Sequence, residues 1–353
     1  MRRLLLPAAA LLLAGAVAAC SPEPATRVGI FIPLSVNDGA VTYTPEGIAT
    51  EASALGVDVA RFQQVVGRRP AEALQVLAER GVGAQLTAKS PQFGRLPDDL
   101  DQYETDLAAL LRDQPTGLLA VQNEETVDKF WLDTIDNYLV LLRAAARVAN
   151  AEGVPVTNGG IDRQPTALAT WNHLRRTRGT ATADSFLDAV FDTAPGIRNA
   201  LTGVPPSDPD PYRRVNETVA RRWRDGEYLL ERYGSDPGDV PITYVNFHWY
   251  VSDDTPEGFR GSGPYTDTDA LRDVVRFIEG STGKRAVTNE IGQWGRTPEA
   301  VTAFLGLLRD ELHVPWVIWF DADGVPADGL HESGQPGELR ANGTAFAAAV
   351  RSK

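Results

Sequence analysis

From Arg27 to the carboxyl terminus, short apolar runs of strand length alternate with stretches in which apolar residues recur at helical spacing. That alternation restricts the chain to folds in which successive βα units build a parallel sheet. Eight units are legible. Their strands read as residues 27–34, 57–62, 82–87, 118–122, 154–157, 242–250, 286–291 and 316–320. The clearest helix spans 136–151, and helices are also expected over 48–55, 70–80, 100–112 and 215–233. About 80 residues separate the fifth strand from the sixth, far more than one helix requires, so an inserted lid or subdomain is expected there. Eight units with this asymmetry predict an α/β fold, a (β/α)8 TIM barrel with an extended insertion between strands five and six. A doubly wound open sheet is the competing arrangement.

The amino terminus has a different character. Arg2 and Arg3 precede an apolar stretch from Leu4 to Val17, and Val17-Ala18-Ala19-Cys20 resembles a bacterial lipobox. Residues 1–19 are therefore expected to be an export signal, Cys20 the site of lipidation, 20–26 a short tether, and 27–353 the folded domain. Cys20 is the sole cysteine, so no disulfide can form within one chain. The formal net charge of −13 disfavours nucleic acid as a partner. No later run is long enough to span a bilayer, which leaves the lipid as the expected membrane contact and the bacterial cell envelope as the expected location.

Two runs end alike. Gly117 to Glu124 (GLLAVQNE) closes the fourth strand and Arg285 to Gly292 (RAVTNEIG) forms the seventh, each carrying Asn-Glu where an apolar strand gives out. Strand ends at the carboxyl face are where such barrels place their chemistry. Glu124 and Glu290 therefore stand as a candidate carboxylate pair.

With these residues in view, the chain resembles clan A of the glycoside hydrolases, the retaining β-glycosidases with an acid on strand four and a nucleophile on strand seven. The resemblance implies Glu124 as acid/base and Glu290 as nucleophile. It sets Arg61 at a strand-two arginine position, Asn123 beside the acid as a donor to a sugar hydroxyl, His248 and Tyr250 at a strand-six His-x-Tyr, and Trp319 as the stacking floor. It implies a β-linked glycan as the partner. Strand alternation places Asn246, His248 and Tyr250 on one face. Two positions depart from the clan's pattern. Glu125 follows the acid where Pro is common, and is read as a solvated loop residue; Asn289 precedes the nucleophile where Thr or Ser is common.

Indole rings stack on sugars, and Trp131, Trp171, Trp249 and Trp294 fall near expected strand ends, so they are candidate subsite residues together with Phe130. A buried core indole would read the same way. Asp253, Asp254, Tyr265 and Gln293 are candidates to reach sugar hydroxyls. The four histidines are scattered with no His-x-x-x-His pair, so no metal is expected, and no cofactor. No Gly-x-Ser-x-Gly elbow is present, which argues against an esterase. The alternative reading is a glycan-binding surface lipoprotein that keeps the barrel without turnover.

Overall fold

The computed structural model describes residues 25–33, 35–36, 41–68, 72–234, 239–252, 265–294, 297–321 and 329–352. The expected signal, Cys20, and the candidates Asp253 and Asp254 lie outside them. Eight parallel strands form the centre: Arg27–Phe31, Val59–Val65, Gly83–Lys89, Thr116–Val121, Val156–Asn158, Val245–Ser252, Ala286–Trp294 and Trp316–Phe320. These are strands one to eight below. Their ladder runs five-four-three-two-one-eight-seven-six. Two parallel bridges, Thr157 to Tyr244 and Ile161 to Phe247, close five against six. The chain is a (β/α)8 barrel, as expected.

Eleven α-helices accompany the strands among the described residues: α1 (Pro45–Leu55), α2 (Glu72–Glu79), α3 (Leu100–Asp113), α4 (Ile135–Ala151), α5 (Arg163–Thr177), α6 (Thr180–Val190), α7 (Pro195–Leu201), α8 (Glu217–Arg232), α9 (Asp267–Thr282), α10 (Pro298–Gly306) and α11 (Ala341–Arg351). Local signals start and stop them. Thr134 caps α4 by accepting from the Asn137 amide, and Thr266 with Asp269 forms a capping box on α9, which ends at Gly283 in the left-handed region. The long connection between strands five and six carries four α-helices among the described residues, α5 to α8, and α5 packs on α6, α8, α9 and strand six. It extends the helical layer around that side of the barrel.

Strand parity divides the apolar side chains between two compartments. Phe31, Val59, Leu118, Val287, Trp316 and Ile318 pack inside the barrel, with Tyr244 and Phe320 against them. The large remaining cluster lies between strands and helices. Trp316 fills the barrel interior because Gly117 faces it; a Cβ there would meet the indole at 2.8 Å. Strand eight therefore turns Trp316, Ile318 and Phe320 inward and Trp319 outward.

Strand seven breaks this parity near its end. Val287 pairs with Asn246 but Glu290 with His248, and Thr288 pairs with Val317 but Ile291 with Trp319, three residues against two on both sides. This bulge brings the consecutive side chains of Asn289 and Glu290 to the same polar cluster, which a regular strand would not do.

Candidate active site

The expected carboxylates meet at the carboxyl face. One oxygen of Glu124, one of Glu290 and a ring nitrogen of His248 all lie within 4.8 Å of one another. Both glutamate side chains reach solvent, at 13% and 12% exposure, while His248 and Arg61 beneath them are sealed. The chain leaves strand four in an uncommon conformation, with Gln122 at φ 67° and Glu124 at φ 42°. Non-glycine residues held in the left-handed region cost of order 1–3 kcal/mol each and gather where function needs a fixed direction. Val127 N–H donates to the Glu124 carbonyl at 2.8 Å and secures the turn.

Arg61 organises one half of the site. Its Nη1 donates to Glu290 Oε2 at 2.6 Å and to the Asn289 carbonyl at 3.0 Å; Nε donates to Thr87 Oγ1 at 3.1 Å; Nη2 donates to Asn123 Oδ1. A guanidinium this deep is strongly destabilising unless its donors are used, and here each nitrogen has an acceptor. With Oδ1 of Asn123 engaged by Arg61, its Nδ2 is the donor atom left on that side chain. Tyr250 O–H donates to Glu290 Oε1 at 2.5 Å. Burial alone would raise the Glu290 pKa, but the charges of His248 and Arg61 and the bonds from Tyr250 and Arg61 outweigh it and hold the group below the ordinary carboxylate range.

His248 joins the two carboxylates. Its Nδ1 lies 3.0 Å from Glu124 Oε1 and 4.0 Å from Glu290 Oε2, and its Nε2 lies 2.8 Å from Asn289 Oδ1. The Asn289 amide is oriented by Asn246, whose Nδ2 donates to that same Oδ1 at 2.7 Å while its own Oδ1 accepts the Asn289 backbone N–H. An amide oxygen cannot donate, so Nε2 carries a hydrogen. Burial opposes the charged ring, yet Glu290's charge and the bond and charge of Glu124 raise the His248 pKa above its ordinary value.

Behind this lies a second polar layer. Asn158 Oδ1 accepts the Asn246 N–H, and its Nδ2 donates to Glu125 Oε1 at 2.7 Å; Tyr233 O–H donates to the same oxygen at 3.0 Å. Glu125 is thus buried, not a solvated loop residue, because Asn158 and Tyr233 give it a polar socket. Burial raises its pKa despite both bonds.

Several candidates fall elsewhere. Trp319 is buried with its ring edge-on between Phe304 of α10 and Phe346 of α11, so it cannot be the stacking floor; Phe320 is the residue turned inward, 6.0 Å from the Tyr250 ring and 5.4 Å from Phe31. Trp249 also faces the helices, under Arg163. Trp171 sits fully buried on α5 against Trp223, and Trp131 packs on Tyr138 with Nε1 donating to the Thr134 carbonyl. These three are core indoles. Tyr265 donates to Asp273 on α9, away from the carboxylates. Trp294 and Gln293 end strand seven, and their side chains lie outside the described residues. Phe130 lines a groove beside Asn123.

Four contributors had not been singled out: Thr87, Asn158, Gly160 and Phe320. A Cβ on Gly160, at φ 115°, would fall 2.1 Å from His248 Nε2, so only glycine lets the ring lie where it does. The run Asn158-Gly159-Gly160 straight after strand five was the available signal.

Among the described residues, two clusters have donor atoms close enough for a metal. At Glu124, His248 and Glu290, the Arg61 guanidinium already supplies the cation. At Glu51, Asp321 and His331, the Tyr43 hydroxyl accepts from the Gly334 N–H and lies 2.9 Å from His331 Nε2, while His331 Nδ1 lies 2.6 Å from Asp321 Oδ2. Both ring nitrogens there are spent on hydrogen bonds that tie the end of strand eight to the hairpin of His331–Glu332 and Gln335–Leu339.

No family model and no curated protein matches the sequence. Solved structures do. An endo-β-1,3-glucanase of glycoside hydrolase family 128, subgroup II, from Sorangium cellulosum superposes with a TM-score of 0.52 at 15% identity, covering 93% of this chain and 100% of its own. The exo-β-1,4-mannosidase Op5Man5 from Opitutaceae bacterium strain TAV5 gives 0.52 at 13% identity, over 94% of this chain and 62% of that one. Bacteroides uniformis β-glucuronidase 2 gives 0.51 at 11% identity, over 94% and 36%. The barrel fold is shared.

Proposed function

We propose that the protein is a retaining glycoside hydrolase acting on a β-linked glycan, with Glu124 as acid/base and Glu290 as nucleophile. The observation that carries this reading is the approach of the two carboxylates, with an oxygen of each within 4.8 Å of the other. Retaining enzymes set their carboxyl groups about 5–5.5 Å apart, whereas inverting enzymes leave about 6.5–9.5 Å for a water. The names of the three superposed neighbours, a glucanase, a mannosidase and a glucuronidase of β-linkages, agree with a β-glycan.

The roles follow from the contacts. Glu290 stays ionised under Arg61 and Tyr250, and one of its oxygens attacks the anomeric carbon. The bond to the leaving oxygen breaks as Glu124 gives that oxygen a proton. The proton comes from the pair formed by Glu124 Oε1 and His248 Nδ1, because Asn289 commits the other ring nitrogen. Water then attacks the glycosyl ester on Glu290 and yields its proton to Glu124, which restores the pair. Asn123 Nδ2 donates to a hydroxyl beside the broken bond, and Phe320 offers the apolar surface below it.

The sequence also motivates a location. We infer export, acylation at Cys20 and anchorage of the barrel to a bacterial envelope membrane by that lipid alone. Loss of fatty-acid labelling in Cys20→Ser is the expected result, and labelling that persists would remove the anchor.

The function is tested on the soluble form starting at Ser21, assayed for reducing ends released from β-glucans, xylans, mannans and galactans beside Glu124→Gln and Glu290→Gln. Release by the parent protein and its loss in both variants, with the β-anomer formed first by NMR, is expected. Initial formation of the α-anomer would refute retention, and binding without release would leave the glycan-binding alternative.

A further inference from the structure

A groove of about 170 Å3 opens beside Asn123, lined by Val65, Arg68, Lys89, Phe93 and Phe130 among others. Lys89 ends strand three, two residues beyond Thr87, so strand alternation directs it to the same mouth as the Thr87 hydroxyl that holds Arg61. Its ammonium is half-buried, and among the described residues it has no hydrogen bond and no ion pair. The Arg68 side chain at the rim is likewise unpaired, and Lys129 Nζ lies 5.3 Å from the Phe130 ring. Two basic side chains that no carboxylate pairs thus line one groove, in a chain with 47 acidic and 34 basic residues. Desolvation, then the charge of Arg61, lowers the Lys89 pKa, and the charge of Glu290 offsets this only in part, so an arriving anion would relieve a cost already present in the folded state. Phe93, two-thirds exposed, gives the same groove an aromatic face of the kind on which sugar rings stack.

We propose that this groove recognises an anionic sugar, a uronate or a sugar sulfate, in the unit neighbouring the one held by Asn123. The carboxylate or sulfate meets Lys89 with Arg68 behind it, and the ring lies on Phe93. Turnover of such a glycan rests on the glycosidase reading above; its binding does not.

The test compares β-1,4-linked glucuronate-containing oligosaccharides with their carboxyl-reduced forms, and sulfated β-galactan oligosaccharides with their desulfated forms. Each pair is measured with the parent protein, Lys89→Met and Lys89→Arg, as kcat/KM and as Kd by calorimetry on the Glu290→Gln background. The expected result is at least a tenfold preference for the acidic member of one pair, shrinking with salt, lost in Lys89→Met and largely restored in Lys89→Arg. The pair that shows it tells carboxylate from sulfate. Equal values for both members of each pair would overturn the proposal, as would a preference untouched by Lys89→Met in a protein with an unchanged Tm. Acidic-selective binding without turnover keeps this inference and removes the hydrolase; turnover without preference does the reverse. Neither binding nor turnover removes both.

Discussion

Asn289 accepts the Nε2–H of His248 at 2.8 Å, and so decides that Nδ1 is the nitrogen facing Glu124. The residue that breaks the clan's usual Thr or Ser therefore orients the imidazole that, in the proposed mechanism, shares the proton with Glu124. Asn289→Ala removes an acceptor of the charged ring, which disfavours that form and lowers the His248 pKa. The alkaline limb of the kcat/KM profile is expected to move down, with a loss of about ten- to a hundredfold at neutral pH, since a buried unsatisfied donor costs about 1–3 kcal/mol. An unchanged alkaline limb would show that the shared proton is set elsewhere.

Arg61 governs the opposite limb. Burial pushes the Glu290 pKa up and the neighbouring charges pull it down, so withdrawing one of those charges leaves the carboxylate easier to protonate. In Arg61→Met the acid limb should rise and kcat should fall about a hundredfold or more. Profiles that superpose on the parent's would contradict the nucleophile assignment of Glu290.

Gly160→Ala tests the ring's seat. The added Cβ would fall 2.1 Å from Nε2, and φ 115° is strained for alanine, so His248 must shift. A misplacement near 1 Å commonly costs on the order of a hundredfold in rate. We expect kcat to drop by about that much while affinity for a bound oligosaccharide changes little. Full activity would mean that the imidazole position is immaterial.

Trp319 and Phe320 should separate stability from binding. Trp319→Ala is expected to lower unfolding free energy by about 3–5 kcal/mol, read as a denaturant midpoint, because it opens a cavity between α10 and α11. Phe320→Ala is expected to raise KM. A reversed pattern would return Trp319 to the glycan.

Glu51 makes a pH-dependent contribution away from the carboxylate pair. Burial raises its pKa from 4.5 to about 7, although its Oε2 accepts from Gly337. The folded state thus binds this proton more tightly than the unfolded chain does, so stability is fullest below pH 4.5 and is lost as pH rises to about 7. Glu51→Gln should gain up to about 3 kcal/mol over the parent at pH 8 and little at pH 4, by thermal melts. Equal melting temperatures at pH 8 would remove this role.

The sequence conveyed strand order, and with it Glu124, Glu290, Arg61, His248 and Tyr250, since residue type and strand number can both be read along a chain. Facing was harder. A strand in a parallel barrel is apolar on both sides, so nothing in Trp316-Val317-Ile318-Trp319-Phe320 says whether the odd or the even set turns inward. Trp319 and Trp249 were misplaced for that reason. The bulge that brings Asn289 beside Glu290 leaves no local mark, because the skipped residue is visible only against the neighbouring strands. Glu125 read as exposed because its socket is built by Asn158 and Tyr233, 33 and 108 positions away.

Arg61, rooted on strand two, reaches both Asn123 at the end of strand four and Glu290 on strand seven. The continuous ladder between those ends runs through strands three, two, one and eight; the other way round crosses the two bridges joining five and six. The gap between the carboxylates is thus gauged from one arc of the hoop, while the long helical connection hangs from the other. The length of that connection can therefore vary without any change in the strands that lie between Glu124 and Glu290.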